Sequence, residues 1–340
     1  MVNGKEAIVG EFILHHIKTS VRDSVFGDTT ELLQSDEEQE FLRKLFLKPF
    51  ANMAQTAEFT HAVGLEYNVL HGLCNAICAE EDLVERSRDI ARHLIDSSQH
   101  HNINPGDLFV VKFQQVELGA RHHEALGIYK FDDKEVFIES KVKGGAIDLH
   151  LRRGLGNAKP NKACLVVFTD EAPTLFVIDD NDHTAYWQND FIGLRPKKDH
   201  VNSTSHFLEM TKSFITEQLP QNYEIAKADQ IDLLNRSVLY FKSNAEFDQD
   251  NFAKEVFQEE AAIRSFEQYG HEFQREHDVE ILPNFEISTH AVKKQARVFK
   301  SVIKLDKNFH IYIHGDRNRI EHGVDERGRK FYRIFYDEES

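Results

Sequence analysis

Three histidines, His310, His314 and His322, fall within the stretch NFHIYIHGDRNRIEHG, a density that raises the question of a metal site. On a helix, His310 and His314 would share one face at i and i+4 and could hold one ion with a third ligand from elsewhere. The residues between them decide otherwise. In HIYIH the histidines alternate with Ile311 and Ile313, which is the period of a strand. At about 3.3 Å per residue the two imidazoles then stand about 13 Å apart and cannot ligate one ion. His71, Cys74 and Cys78 make a second stripe, at helical spacing, but zinc sites usually draw on two separated ligand pairs and no second pair accompanies it. Small thiols on the inner face of a helix account for that stripe. No metal or other cofactor is expected.

A nuclease is the enzyme class with the most support. In FDDKEVFIESKVKGG, Glu139 and Lys141 form an E-x-K, and Asp132 or Asp133 could supply the preceding acid. Restriction-endonuclease-like enzymes use such a set to hold Mg²⁺ and position water for phosphodiester attack. Period 2 places Glu139 and Lys141 on one strand face, while the two aspartates read as a tight turn. No G-x-S-x-G elbow, G-x-G-x-x-G or G-x-x-x-x-G-K-[ST] motif is present.

The remaining chemistry lies in charge. From Ala291 to Phe335 twelve bases stand against five acids, and among them Lys293, Lys294, Arg297, Lys300, Arg317, Arg319, Arg327, Arg329 and Lys330 are the first candidates for contact with DNA. Phe331, Tyr332, Phe335 and Tyr336 interleave aromatics with the last of them. A second basic block, from Lys141 to Lys162, adds Lys141, Lys143, Arg152 and Arg153 as candidates and also contains Lys159 and Lys162. Cations on a sheet rim can track a phosphate backbone, with an affinity that falls as salt rises. The competing reading is that they pair with the acidic stretch Asn244–His290, which carries twelve acids against three bases. On helices those acids make a solvated outer face, or a surface that grips a basic protein.

These side chains must be positioned by elements legible from pattern. AIVGEFILHHI reads as a strand, and Ser35 with Glu38 three residues on opens a helix through Phe41, Leu42, Leu45 and Phe46. Leu65 to Ser97 reads as further helix. From Leu108 to about Phe191 short apolar runs (DLFVVKFQQVEL, ALGIYKF, EVFIES, AIDLHL, ACLVVF, TLFVID, AYWQNDF) predict an antiparallel meander with FDDKE, KGGA and DEAPT as hairpin loops. Thr204 to His277 returns to helical spacing. ARVFKSVIKL, NFHIYIHG, NRIEHGVD and KFYRIFYD are strand-like, with DERG as a hairpin loop. The expected fold class is α+β: an N-terminal domain over 1–200, an acidic helical subdomain over 201–290 and a basic C-terminal β element over 291–340.

The whole chain of 340 residues is 41% hydrophobic and carries a formal net charge of −16, so its bulk field repels polyanions and only local basic blocks favour them. Three cysteines argue against a disulfide framework. Apolar runs far short of the roughly 20 residues of a membrane span, and the lack of a basic-then-apolar leader, give a cytoplasmic expectation.

Three pieces carry a resemblance that spans nearly the whole chain: IVGEFILHHI followed by an acidic helix, GDLFVVKFQQVELGARHHEALGIYKF, and FKSVIKLDKNFHIYIHGDRNRIEHGVDERGRKFYRIFYDEE. In these the chain resembles the bacterial 37-kDa nucleoid-associated protein family (NdpA/YejK), as a divergent member. The resemblance implies a nucleoid location, DNA binding without catalysis, and DNA topoisomerases as candidate protein partners; a homo-oligomer is compatible with it. The stretch KVKGGAIDLHLRRGLGNAKPNK departs from the family pattern.

Overall fold

The computed structural model describes residues 2–98, 104–156, 158–180, 185–297, 299, 302–313 and 319–338. It divides into two compact units, Met1–Lys197 and Lys198–Ser340. The class is α+β.

The first unit contains β1 (Val2–Asn3), β2 (Ile8–Ile17), α1 (Asp36–Leu47), β3 (Ala57–Phe59), α2 (Val69–Cys78), α3 (Leu83–Ser97), β4 (Gly106–Leu118), β5 (Arg121–Phe131), β6 (Glu135–Lys143), β7 (Ala146–Gly154), β8 (Lys162–Val167), β9 (Thr174–Asp179) and β10 (Leu194–Pro196). Eight of these strands form one sheet in the order β1, β4, β5, β8, β9, β3, β10, with β2 pairing β4 beside β1. The central strands carry long apolar runs, such as LFVV in β4 and ACLVV in β8, because both their faces are covered. Leu108, Val110, Leu126, Ile128, Cys164 and Val166 meet α2 and α3, whereas Phe109, Val111, Ala125, Tyr129, Leu165 and Val167 meet the side of α1. The α1 start follows its sequence signal: Ser35 accepts the N–H of Glu38 at 3.2 Å, and the Glu38 carboxylate accepts the N–H of Gln34 at 2.7 Å. Phe46 of this helix packs against Tyr129, the rings tilted by 33° with centroids 4.5 Å apart.

Three expectations are corrected. AYWQNDF is a π-helical turn, Tyr186–Ile192, because Tyr186, Trp187, Phe191 and Ile192 recur every five residues and bury together rather than alternating. The helix expected over Leu65–Ser97 is broken into α2 and α3 at Glu80, which takes φ +63°, and α3 restarts on an Asp82 cap. FDDKE is not a hairpin loop. β5 pairs directly with β8, and among the described residues β6 and β7 pair only with each other, so the meander is interrupted by an arm. Only KGGA turns that arm, with Gly144 at φ +59° and Gly145 at +86°, the left-handed backbone that glycine takes without a steric cost.

Where the arm leaves, four charges are buried in a row. Lys130 of β5 faces Lys162 of β8 across the ladder, and each lysine is held by one carboxylate, Asp132 and Asp179 respectively. All four are at most 5% exposed. Lys130 also donates to the Asn104 carbonyl at 2.9 Å, the Asp132 N–H to Asn161 Oδ1 at 2.8 Å, and Lys162 lies over the Tyr186 ring at 5.1 Å. Burial lowers the Lys130 pKa and Asp132 opposes that shift.

The second unit holds α4 (His200–Ser213), α5 (Leu219–Asn222), α6 (Lys227–Ser243), β11 (Glu246–Asp248), α7 (Gln249–Phe257), α8 (Glu260–Glu276), β12 (Asn284–Glu286), α9 (Thr289–Ala296), β13 (Val302–Leu305), β14 (Phe309–Tyr312), β15 (Ile320–Val324) and β16 (Lys330–Ile334). Its helices enclose an aromatic core of Phe207, Phe241, Phe247, Phe252, Phe266 and Phe285 with their neighbours. β11 pairs β12, β13 pairs β14 and β15 pairs β16. Ile303, Ile313 and Ile320 pack on Ala228 and Ile231 of α6, which seats the last two hairpins on the helices.

Two of the buried ionisable groups of the first unit can be tested through stability. Asp132→Ala leaves Lys130 buried without its counter-charge and is expected to cost about 3 kcal/mol or more; Lys130→Met added to it recovers most of that stability, read from urea unfolding. The second group is His15, which is fully buried and accepts the Gly27 N–H at Nδ1, 3.0 Å away. Burial first, then Arg88 and Arg92, lower its pKa from 6.5 to about 4. Between those values the unfolded chain binds a proton that the folded chain does not, so stability falls as pH drops from 6.5 to 4, by on the order of 3 kcal/mol from this residue. His15→Gln, which keeps an acceptor but does not titrate, should show a correspondingly flatter stability profile over that window.

Candidate nucleic-acid interface

The C-terminal basic residues are placed by two elements. α9 starts on a Ser288 cap and is anchored by buried Ala291 and Val292; Lys293 and Lys294 occupy its last turn and Arg297 caps it, all three exposed. Cations at a helix C-terminus complement the partial negative charge there. In the β15–β16 hairpin, Asp325 organises the turn. Its carboxylate accepts the N–H groups of Arg327 at 2.9 Å and Arg329 at 2.8 Å, and Arg329 Nε returns to it at 2.8 Å. The Arg329 N–H is the largest of the influences that hold the Asp325 carboxyl below its usual range. Gly328, at φ +75°, completes the loop expected from DERG.

This hairpin carries Arg327, Arg329 and Lys330 at its turn, Arg333 along β16 and Arg319 at its open end. Arg319 pairs with Asp337 at 2.6 Å and Arg333 with Glu321 at 3.1 Å, while Arg333 also lies 5.7 Å from the Phe331 ring centroid. Exposed pairs of this kind are worth about 0–1 kcal/mol, little enough to exchange for a phosphate. Among the described residues, Lys293, Lys294, Arg297, Arg327 and Lys330 have no carboxylate within salt-bridge distance. Lys300 and Arg317 lie outside the described residues, as does His314.

The acidic stretch supplies none of the partners just named. Phe266, Gly270 and Phe273 of α8 face the core, and Glu260, Glu267 and Glu276 face outward. Arg264 pairs with Glu260 at 2.9 Å, and Lys198 pairs with Glu280.

The arm divides the second basic block. Lys141, Lys143 and Arg152 share one face, whereas Arg153 lies on the other, opposite Val136. Lys162 is not on the surface at all, being buried against Asp179. The E-x-K set is not assembled into a metal site. Lys141 and Arg152 bind Glu139 at 2.9 and 3.0 Å and lower its pKa, and Asp132 is buried against Lys130. Glu139 also stands four residues, roughly 13 Å, beyond the first pair of the arm. Cys74 is buried in the sheet-facing core, Cys78 lines a surface pocket, and burial raises both thiol pKa values. Among the described residues no cluster of three His, Cys, Asp or Glu side chains could hold a metal ion.

Two features escaped sequence reasoning. The buried lysines were signalled by K-F-D at 130–132, a lysine and an acid on one face ending an apolar strand. Lys5, Arg43, Lys44 and Lys48 line a groove of about 640 Å³ beside β1 and α1; Arg43 and Lys44 stand one turn of α1 after Glu40, which binds both.

Among the described residues no helix is long and apolar enough to cross a membrane. Comparison with curated proteins and with solved structures finds no significant match. A family model described as nucleoid-associated protein YejK matches residues 13–340, taking in most of the central sheet, the arm, the acidic helices and both basic elements. The chain therefore belongs to the bacterial nucleoid-associated protein YejK family.

Proposed function

We propose that the chain binds DNA through its phosphates, with little base readout and no catalysis. The observation that carries this reading is the set of exposed cations on α9 and the β15–β16 turn that no described carboxylate neutralises: Lys293, Lys294, Arg297, Arg327 and Lys330. Phosphate contacts of this type position a protein on a duplex without reading sequence. Arg319 and Arg329, held by weak exposed pairs, are placed to join them, and Lys141, Lys143 and Arg152 offer a second cationic surface on the arm. Membership of a nucleoid-associated family supports the reading, as does the burial of Asp132 against Lys130, which withholds that carboxylate from a Mg²⁺ site with Glu139. The outward acids of α8 favour a separate contact with a basic protein surface, for which a DNA topoisomerase is the candidate.

Reversing four charges (Lys293→Glu, Lys294→Glu, Arg327→Glu, Lys330→Glu) should weaken duplex binding at least tenfold. The slope of log affinity against log salt should become shallower by about 0.9 for each phosphate that is no longer neutralised. Unchanged affinity and slope would remove the proposal. In a second assay, supercoiled plasmid incubated with Mg²⁺ and substoichiometric protein should be retarded and not nicked; nicking that Glu139→Ala abolishes would replace binding with nuclease chemistry.

A further inference from the structure

The arm formed by β6 and β7 is a two-stranded sheet whose faces differ sharply. Cross-strand register puts Val136 with Arg153, Ile138 with Leu151, Ser140 with Leu149 and Val142 with Ile147 on one face. The six aliphatic side chains in those four rungs are each 57–80% exposed. Glu139, Lys141, His150 and Arg152 occupy the other face. A lone two-stranded hairpin is marginally stable in water, and contiguous apolar patches beyond a few hundred Å² mark interaction surfaces.

We infer that this apolar face packs against the same face of a second copy, making the chain a two-fold dimer through its arms. Strands of nine residues give a face about 30 Å long. Its six aliphatic side chains expose on the order of 600–800 Å² per copy, close to the roughly 800 Å² per partner of a standard interface. A two-fold contact requires one patch to be self-complementary, and this one is. Arg153, its single charge, sits at the base, so antiparallel stacking carries each Arg153 past the partner's Gly144–Gly145 tip, whereas parallel stacking would set the two arginines against each other. Ser140 falls near the centre, where the axis would pass. The remaining rungs carry no charge to meet a phosphate backbone, so DNA is a poor occupant; the inference does not depend on DNA binding.

The test is the mass of the full chain in solution at micromolar concentration, by light scattering or sedimentation. Wild type is expected at twice the chain mass, as is His150→Glu on the polar face. Ile138→Lys combined with Leu149→Lys should halve the mass. Because that pair could unfold the arm, a chain with residues 135–154 replaced by a short Gly-Ser linker serves as the second variant. It should be a folded monomer, since β5 pairs with β8 without the arm. A monomeric wild type, or a dimer that survives either the lysine pair or the deletion, overturns the inference. A monomer whose arm instead binds anionic phospholipid vesicles overturns it too and assigns the face to a lipid surface.

Discussion

A row of buried charge across three strands fixes how the first unit is built. Lys130 and Lys162 face each other in a layer that is otherwise apolar, and like charges opposed on a sheet are destabilising unless each is neutralised. Asp132 and Asp179 do this, and Asn161 with the Asn104 carbonyl takes up further polar groups. Removing water from these charges is costly, so the row is satisfied only when β5, β8 and β9 lie in one register. That register excludes the residues between β5 and β8 from the sheet. The arm, with its divided faces, is a consequence.

The second unit answers a different constraint. A chain with net charge −16 meets a polyanion only where cations are concentrated and its own acids are kept away. Screening limits the reach of exposed charge to about 8 Å at physiological salt. The placement of individual side chains therefore outweighs the sum. The acids of α8 are fixed outward by the apolar stripe that buries Phe266 and Phe273, while the basic hairpins are held on α6 by Ile303, Ile313 and Ile320. Weak local pairs orient Arg319 and Arg329 without consuming them.

Much of the fold was legible because local physics writes it into short stretches. The Ser35 cap, the period-2 strands, the DERG and KGGA turns and the amphipathic stripe of α8 each depend on neighbours within a few residues. The strand spacing of His310 and Ile311 was likewise readable from neighbours alone, as β14. Failures came where partners are distant in sequence. ACLVVF looks the same whether its strand meets the preceding hairpin or skips over it, and so FDDKE passed for a hairpin loop. Tyr186, Trp187, Phe191 and Ile192 follow a five-residue period that is rare enough to be mistaken for an extended run. Lys162 counted as surface charge because its carboxylate lies seventeen residues on, in β9.

By itself, the sequence determined the class of most elements, the segregation of acid from base and the family resemblance, since periodicity, capping and composition are local properties. Only the tertiary structure decided which cations reach solvent unpaired. It divided the second basic block by burying Lys162 and setting Arg153 on the face opposite Lys141 and Arg152. It also engaged Glu139 with two cations and left six aliphatic side chains of the arm uncovered. Strand register and burial depend on long-range pairing, where the free energy comes from removing specific surfaces from water together, and no short stretch of sequence encodes which surfaces those are.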